Sequence, residues 1–298
     1  MSSHLFAHHV KPARSSARKF VYAHTPARYI WEPDLDQRGA ALSARFASTL
    51  IKPLDRRRAS EAHAIAANSG FTRERIQRTW NRDATVIYPP VATADISSVT
   101  DWDLRLSDLE RLTLDSLPSV FLLGASRMVP YKRLDVVIEA GHATGIPVVL
   151  AGSGPQRSHL AELAGAPGSD VRFVDSPSDN LLRALYSRAY AYVFPAVEDF
   201  GIMPVEAMAC GTPVIGNVVG GVAESVSVCS GGVTVDFDDA VDWTSTLDRV
   251  RHIDRSRMQR ATLQFDTSNF IKQIRAWVLP GSSGRPGTHP SDRSEGAS

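Results

Sequence analysis

Cysteine is almost missing from this chain: Cys210 and Cys229 are the two among 298 residues. Neither lies in a metal-type spacing, and so few thiols exclude a disulfide scaffold; a reduced, cytoplasmic setting is expected. Long apolar runs are missing too. None approaches the ~18–20 residues that span a bilayer, so no membrane-crossing helix is expected. Met1–Val10 lacks the apolar core of a signal peptide. No internal repeat is present. Excess charge of one sign is absent as well, with 33 Lys+Arg against 32 Asp+Glu.

What is present is a composition that can bury a core, 43% hydrophobic and 22% charged, in a length that suits two domains. The charge is unevenly distributed. Residues 1–100 carry 15 Lys+Arg against 8 Asp+Glu, and the remainder 18 against 24. Two readings of the basic half stand side by side. One is an anionic partner, either a phosphorylated acceptor or an acidic membrane face; the other is a solvated basic helix around Arg56-Arg57-Arg58. No nucleic-acid partner is expected.

The first 90 residues hold three strand candidates, Lys19–Ala23, Ala64–Ala67 and Thr85–Tyr88, with helical stretches at Gly39–Leu54 and Thr72–Trp80. Residues 91–118 read as an irregular, polar linker with a short helix around Ser107–Leu112. From Ser119 short apolar strands alternate with helices. The strands fall at Val120–Gly124, Pro147–Ala151, Val171–Val174, Ala191–Phe194, Val214–Ile215 and Gly232–Val235. This rhythm, with strands apolar on both faces, predicts a doubly wound parallel sheet. The division expected is a partial N-terminal domain over 1–90, a linker over 91–118, a C-terminal domain over 119–279 and a disordered Gly/Ser/Pro-rich tail over 280–298.

The stretch Glu198-Asp-Phe-Gly-Ile-Met-Pro-Val-Glu206 carries the most chemistry. Two carboxylates flank a glycine turn that opens a short helix. Such a turn presents free backbone N–H groups and the positive end of a helix dipole, which suit a phosphate. Pro204 costs nothing in a first turn, and Gly211 ends the helix. Ligands of open α/β sheets bind beyond the carboxyl ends of the strands. Arg127 and Lys132 follow the first strand of the second domain, and Gly152-Ser-Gly154 follows the second. They bring two cations and a close backbone approach to the same rim. Glu206 could accept from a ribose, and Glu198 could hold sugar hydroxyls. Singly, each has a plainer reading: a dipole-favoured carboxylate, surface cations, an ordinary Gly-Ser-Gly-Pro turn. Their coincidence at successive strand ends is what points to a nucleotide-sugar site.

These residues resemble the signature of family 4 retaining glycosyltransferases of the GT-B fold. Glu198, Gly201, Glu206, Ala207, Gly211, Pro213 and Val214 match its Glu-x7-Glu element and the Ala-Met-Ala-x-Gly-x-Pro-Val that follows. Arg127 and Lys132 match its Gly-x-x-Arg-x-x-x-x-Lys element. Tyr22-Ala-His24-Thr-Pro-Ala-Arg28-Tyr-Ile-Trp31, Ala66-Ala-Asn-Ser69 and Val86-Ile-Tyr-Pro-Pro-Val91 resemble segments of its N-terminal half. The resemblance spans about residues 1–278.

It implies a GT-B-like α/β fold: a complete C-terminal doubly wound domain plus a truncated N-terminal Rossmann-like domain. It implies transfer of a hexose, mannose favoured, from a nucleoside-diphosphate sugar such as GDP-mannose to a glycan or lipid-linked acceptor. The transfer would be retaining and need no metal or other cofactor, at the cytoplasmic side and peripheral to the inner membrane face. Arg127 and Lys132 would meet the diphosphate, with Gly152 and Gly154 beside it. The Gly201–Met203 backbone would hold the donor, Glu198 its hexose, Glu206 its ribose, and His24 would sit against the transferred sugar. Asp34-Leu-Asp36 and Asp101-Trp-Asp103 mimic the Asp-x-Asp of metal-dependent transferases; in irregular segments they are expected to be decoys.

One departure bears on the fold. The family's opening strand, its glycine-rich loop and most acceptor contacts have no counterpart here. With three strands in the first domain, strand 19–23 would lose neighbours and expose apolar edges. Three accounts follow: a start that lies upstream, a donor-binding module without turnover, or a subunit completed by a separate N-terminal partner. An epimerase of the same fold fits the Ala-Met-Ala-x-Gly-x-Pro-Val context less well.

Overall fold

The computed structural model describes residues 2–4, 6–11, 14, 16–31 and 42–279. Two all-parallel sheets carry the chain. The first has four strands in the order β1 (Ser2–His4), β2 (Phe20–Thr25), β3 (Ala64–Ala67) and β4 (Thr85–Val86). Its helices are α1 (Arg28–Trp31), α2 (Leu42–Ser60) and α3 (Gly70–Trp80). The expectation of three strands is corrected here. Ser2–His4 pairs with Tyr22–Thr25, so β2 is an interior strand with β3 on its other side and no exposed edge. Three polar-looking residues are too short a run to betray a strand by periodicity. The helix expected to end at Leu54 runs on to Ser60, with Pro53 inside it.

The stretch 91–118 holds α4 (Thr93–Ser98) and α5 (Asp108–Asp115). Ile96, Trp102, Leu106 and Leu114 from this stretch are buried in the larger core of the second sheet. Asp101 caps the turn that follows it, and Asp103 pairs with Arg188, so this Asp-x-Asp is structural. Asp34-Leu-Asp36 and the tail 280–298 lie outside the described residues.

The second sheet has six strands: β5 (Leu122–Ala125), β6 (Val148–Ala151), β7 (Val171–Val174), β8 (Ala191–Phe194), β9 (Val214–Asn217) and β10 (Gly232–Val235). Helices α6 (Asp135–Thr144), α7 (Arg157–Ala164), α8 (Asp179–Arg188), α9 (Ile202–Ala209), α10 (Gly221–Cys229), α11 (Trp243–Arg251) and α12 (Arg255–Thr262) surround it. Leu122, Leu123, Val149, Leu150, Tyr192, Val214 and Ile215 are at or below 1% exposure, so both faces are covered, as parallel strands require. The spatial order is β10-β9-β8-β5-β6-β7. The winding therefore reverses between β5 and β8, which opens a crevice beyond their carboxyl ends. The last helix, α13 (Thr267–Val278), returns to the first sheet. Phe270 and Trp277 pack edge-on against Tyr22 and Phe20, with centroids 5.6 and 5.1 Å apart.

Candidate active site

The reversal point brings together the loops after β5 and β8. Lys132, in the β5 loop, is buried at 7% exposure, and its Nζ pairs with Glu198 Oε1 from the β8 loop. The lysine also lies 5.3 Å from the Phe194 ring centroid, so its charge is held by a carboxylate and an aromatic face together. Arg127 is exposed, and its Nη2 donates to Tyr131 Oη at 2.9 Å on the same loop.

Gly201 opens α9 with φ +83°, and a Cβ there would lie 2.7 Å from Val222. Glycine is required both for the left-handed turn and for contact with α10. Ile202 is 46% exposed at this end of α9, and Met203 Sδ accepts a long contact from Tyr192 Oη. Glu206 stands one turn further, half-buried. Burial pushes its carboxyl above the usual range; Arg183 opposes the shift and Asp179 adds to it.

Gly152 and Gly154 make close contacts within the rim itself. A Cβ on Gly152 would stand 2.0 Å from the Ser126 carbonyl oxygen, and one on Gly154 would stand 2.5 Å from that of Met128. The Met128 N–H donates to the Ser153 carbonyl at 2.7 Å. The glycines dock the β6 loop onto the β5 loop that carries Arg127 and Lys132.

His24 lies near the end of β2 on the facing sheet. Its Nε2 is 2.7 Å from Ser2 Oγ, and its ring stands edge-on to Tyr22 at 5.2 Å. Several residues at the junction escaped the sequence reading. Asp199, next to Glu198, accepts from Arg28 Nη2 at 2.9 Å and from Arg75 Nη1. Ser69 Oγ donates to the Asp199 carbonyl. Glu224 of α10 accepts from the Gly70 N–H and from Tyr88 Oη, both at 2.7 Å. Arg28, Ser69 and Tyr88 stood inside quoted motifs, a signal that they matter without a partner to say how. Glu224 had no signal. Gly220 and Gly221 admit the backbone of residues 198–200, and the Gly221 N–H donates to the Glu198 carbonyl at 2.8 Å.

Among the described residues, one group has the composition of a metal site: His8, His9 and Asp55. Asp55 Oδ1 lies 2.9 and 2.7 Å from the two His Nε2 atoms, and Oδ2 accepts from Trp31 and Trp80 at 2.8 and 2.7 Å. These are hydrogen-bond spacings, so the carboxylate is fully satisfied by the protein itself.

Residues 116–262 match the family model described as "Glycosyl transferases group 1". This segment is similar to the group 1 glycosyl transferases. It contains Arg127, Lys132, Glu198 and Glu206, together with the whole six-stranded sheet. A D-inositol 3-phosphate glycosyltransferase of Salinispora tropica is 32% identical over 212 residues, 64% of this chain and 44% of the relative. The O-antigen chain mannosyltransferase RfbU of Salmonella typhimurium is 33% identical over 111 residues, 36% of this chain and 31% of that one. The chain thus spans less than half the length of both relatives. The crystal structure of Anabaena Alr3699/HepE in complex with UDP has a TM-score of 0.66 at 20% identity, over 88% of this chain and 79% of the other. That likeness is one of fold, and the fold is GT-B-like α/β. Among the described residues no helix is long and apolar enough to cross a membrane.

Proposed function

We propose that this chain transfers a hexose, with mannose favoured, from a nucleoside-diphosphate sugar to a hydroxyl of a glycan or lipid-linked acceptor, with retention and without a bound metal. The observation that carries the reading is the Lys132–Glu198 pair at the reversal point, beside the N-terminus of α9. The preference for mannose rests on the likeness to RfbU, and GDP-mannose is the donor that suits it. The Salinispora relative is named for D-inositol 3-phosphate, and the basic surplus of residues 1–100 fits a phosphorylated acceptor or an acidic inner membrane face.

In this reading Lys132 leaves Glu198 for the donor diphosphate, joined by Arg127 and by the Gly201, Ile202 and Met203 amides. Glu198, released, accepts from hexose hydroxyls, and Glu206 accepts from the ribose. His24 faces the sugar from the other sheet. The anomeric C–O bond to the diphosphate breaks as the C–O bond to the acceptor forms, and the acceptor proton passes to the leaving phosphate oxygen. Charge grows on the diphosphate in the transition state, where two cations and oriented amides stabilise it most. Titration calorimetry with UDP and GDP tests the site, followed by a transfer assay with the matching sugar nucleotides. Binding that Lys132→Ala weakens supports the reading. Binding of neither nucleotide overturns it, and binding without turnover in any assay favours the donor-binding module instead.

A further inference from the structure

We infer that Asp199 is a positioning residue: it latches the two sheets together through Arg28 and Arg75 and thereby aims Glu198 into the crevice. The inference rests on the donor site proposed above for its catalytic consequence, but its geometry stands apart from that site.

Glu198 and Asp199 are adjacent in one loop and face opposite walls. Glu198 turns to Lys132 within its own domain. Asp199 turns away, to the domain of the first sheet, where both of its carboxylate oxygens accept from guanidinium groups. Arg28 lies four positions beyond His24, at the start of α1. Arg75 lies in α3 at 1% exposure and also donates to Thr25 Oγ1 at 2.8 Å, next to His24 in β2. A guanidinium so deeply buried needs a carboxylate nearby, and the neighbouring domain supplies one. Ser69, the N-cap of α3, adds a bond to the Asp199 main chain. Three anchors from the His24 side therefore close on the residue next to Glu198. Behind it the Gly221 N–H holds the Glu198 carbonyl, so the loop is gripped from both sides. Any opening between the sheets must either break the Asp199 bonds or drag Glu198 with them.

Three variants test this, Asp199→Asn, Arg28→Lys and Arg28→Ala, in the full chain. Hydrogen exchange needs no activity. In Asp199→Asn, exchange over residues 24–31 and 69–76 accelerates roughly tenfold or more while β5, β6 and β9 keep their protection. In the transfer assay kcat falls about tenfold to a hundredfold, as misplacement of a reacting group predicts, while nucleotide affinity changes by less than about threefold. Arg28→Lys keeps a cation and retains most of kcat; Arg28→Ala matches Asp199→Asn. Unchanged exchange over 24–31 and 69–76 in both Asp199→Asn and Arg28→Ala overturns the latch. So does a loss of nucleotide affinity equal to the loss in kcat, which would make Asp199 part of the donor site. If the parent chain binds neither UDP nor GDP, the functional reading fails while the exchange result still decides the latch.

Discussion

Lys132 Nζ and Glu198 Oε1 form an ion pair across the point where the winding of the second sheet reverses. Each thus occupies the other's binding capacity until a ligand arrives. Under the proposed function a diphosphate competes with Glu198 for Lys132, and a hexose competes with Lys132 for Glu198. Glu198→Gln removes the competitor, so UDP or GDP is expected to bind about threefold more tightly, the worth of a weak ion pair. The same change is expected to abolish most transfer. Lys132→Ala should weaken nucleotide binding roughly tenfold to a hundredfold, as loss of a charged hydrogen bond does. Calorimetry on the three proteins checks both directions.

Glu206 supplies a pH prediction. Its carboxyl is raised by burial in the folded chain, so the folded state holds the proton at pH values where the unfolded chain has released it. The unliganded protein therefore loses stability as pH rises from the ordinary carboxylate value through the raised one. Glu206→Gln is expected to melt higher than the parent at pH 7 and to flatten that pH dependence, while binding nucleotide less well. Thermal melts between pH 4 and 8, with and without nucleotide, read both effects.

Asp55 works with the opposite sign. Burial alone would raise it, but hydrogen bonds from His8, His9 and Trp31 hold the carboxyl down at about 2. Its contribution is present above the unfolded value near 4 and is lost as pH falls toward 2. Asp55→Asn removes the charge that its four donors share and is expected to cost about 2–3 kcal/mol. Urea unfolding at pH 7 measures it, and the deficit should shrink in acid.

Two glycines separate strain from clash. Gly152 has φ +132° and no space, since a Cβ would meet the Ser126 carbonyl at 2.0 Å. Gly145 has φ +68° with nothing within 4 Å. Gly145→Ala is expected to cost about 1 kcal/mol, the left-handed penalty alone. Gly152→Ala is expected to cost at least about twice that and to weaken nucleotide binding by displacing the loop of Arg127 and Lys132. Denaturant midpoints and calorimetry on both variants make the comparison.

The alternation of short apolar strands with helices was enough to predict a parallel α/β chain, because strands covered on both faces must be apolar throughout. The spacing of Glu198, Gly201 and Glu206 placed two carboxylates and a left-handed glycine around one helix start, since those are local demands of a tight turn. Strand β1 was not legible: Ser2–His4 is a strand through its ladder to β2, not through any pattern of its own. Nor was the strand order that seats Lys132 against Glu198, which depends on how β5 and β8 pair. The contact of Gly152 and Gly154 with the β5 loop was illegible for the same reason, because only the folded chain lays one loop on the other. Local chemistry is written along the chain, so the sequence by itself determined which residues are offered as a candidate phosphate-and-sugar cradle. Which partner each one faces is a long-range matter of packing, and that the tertiary structure alone decided, for Asp199 with Arg28 and Arg75 above all.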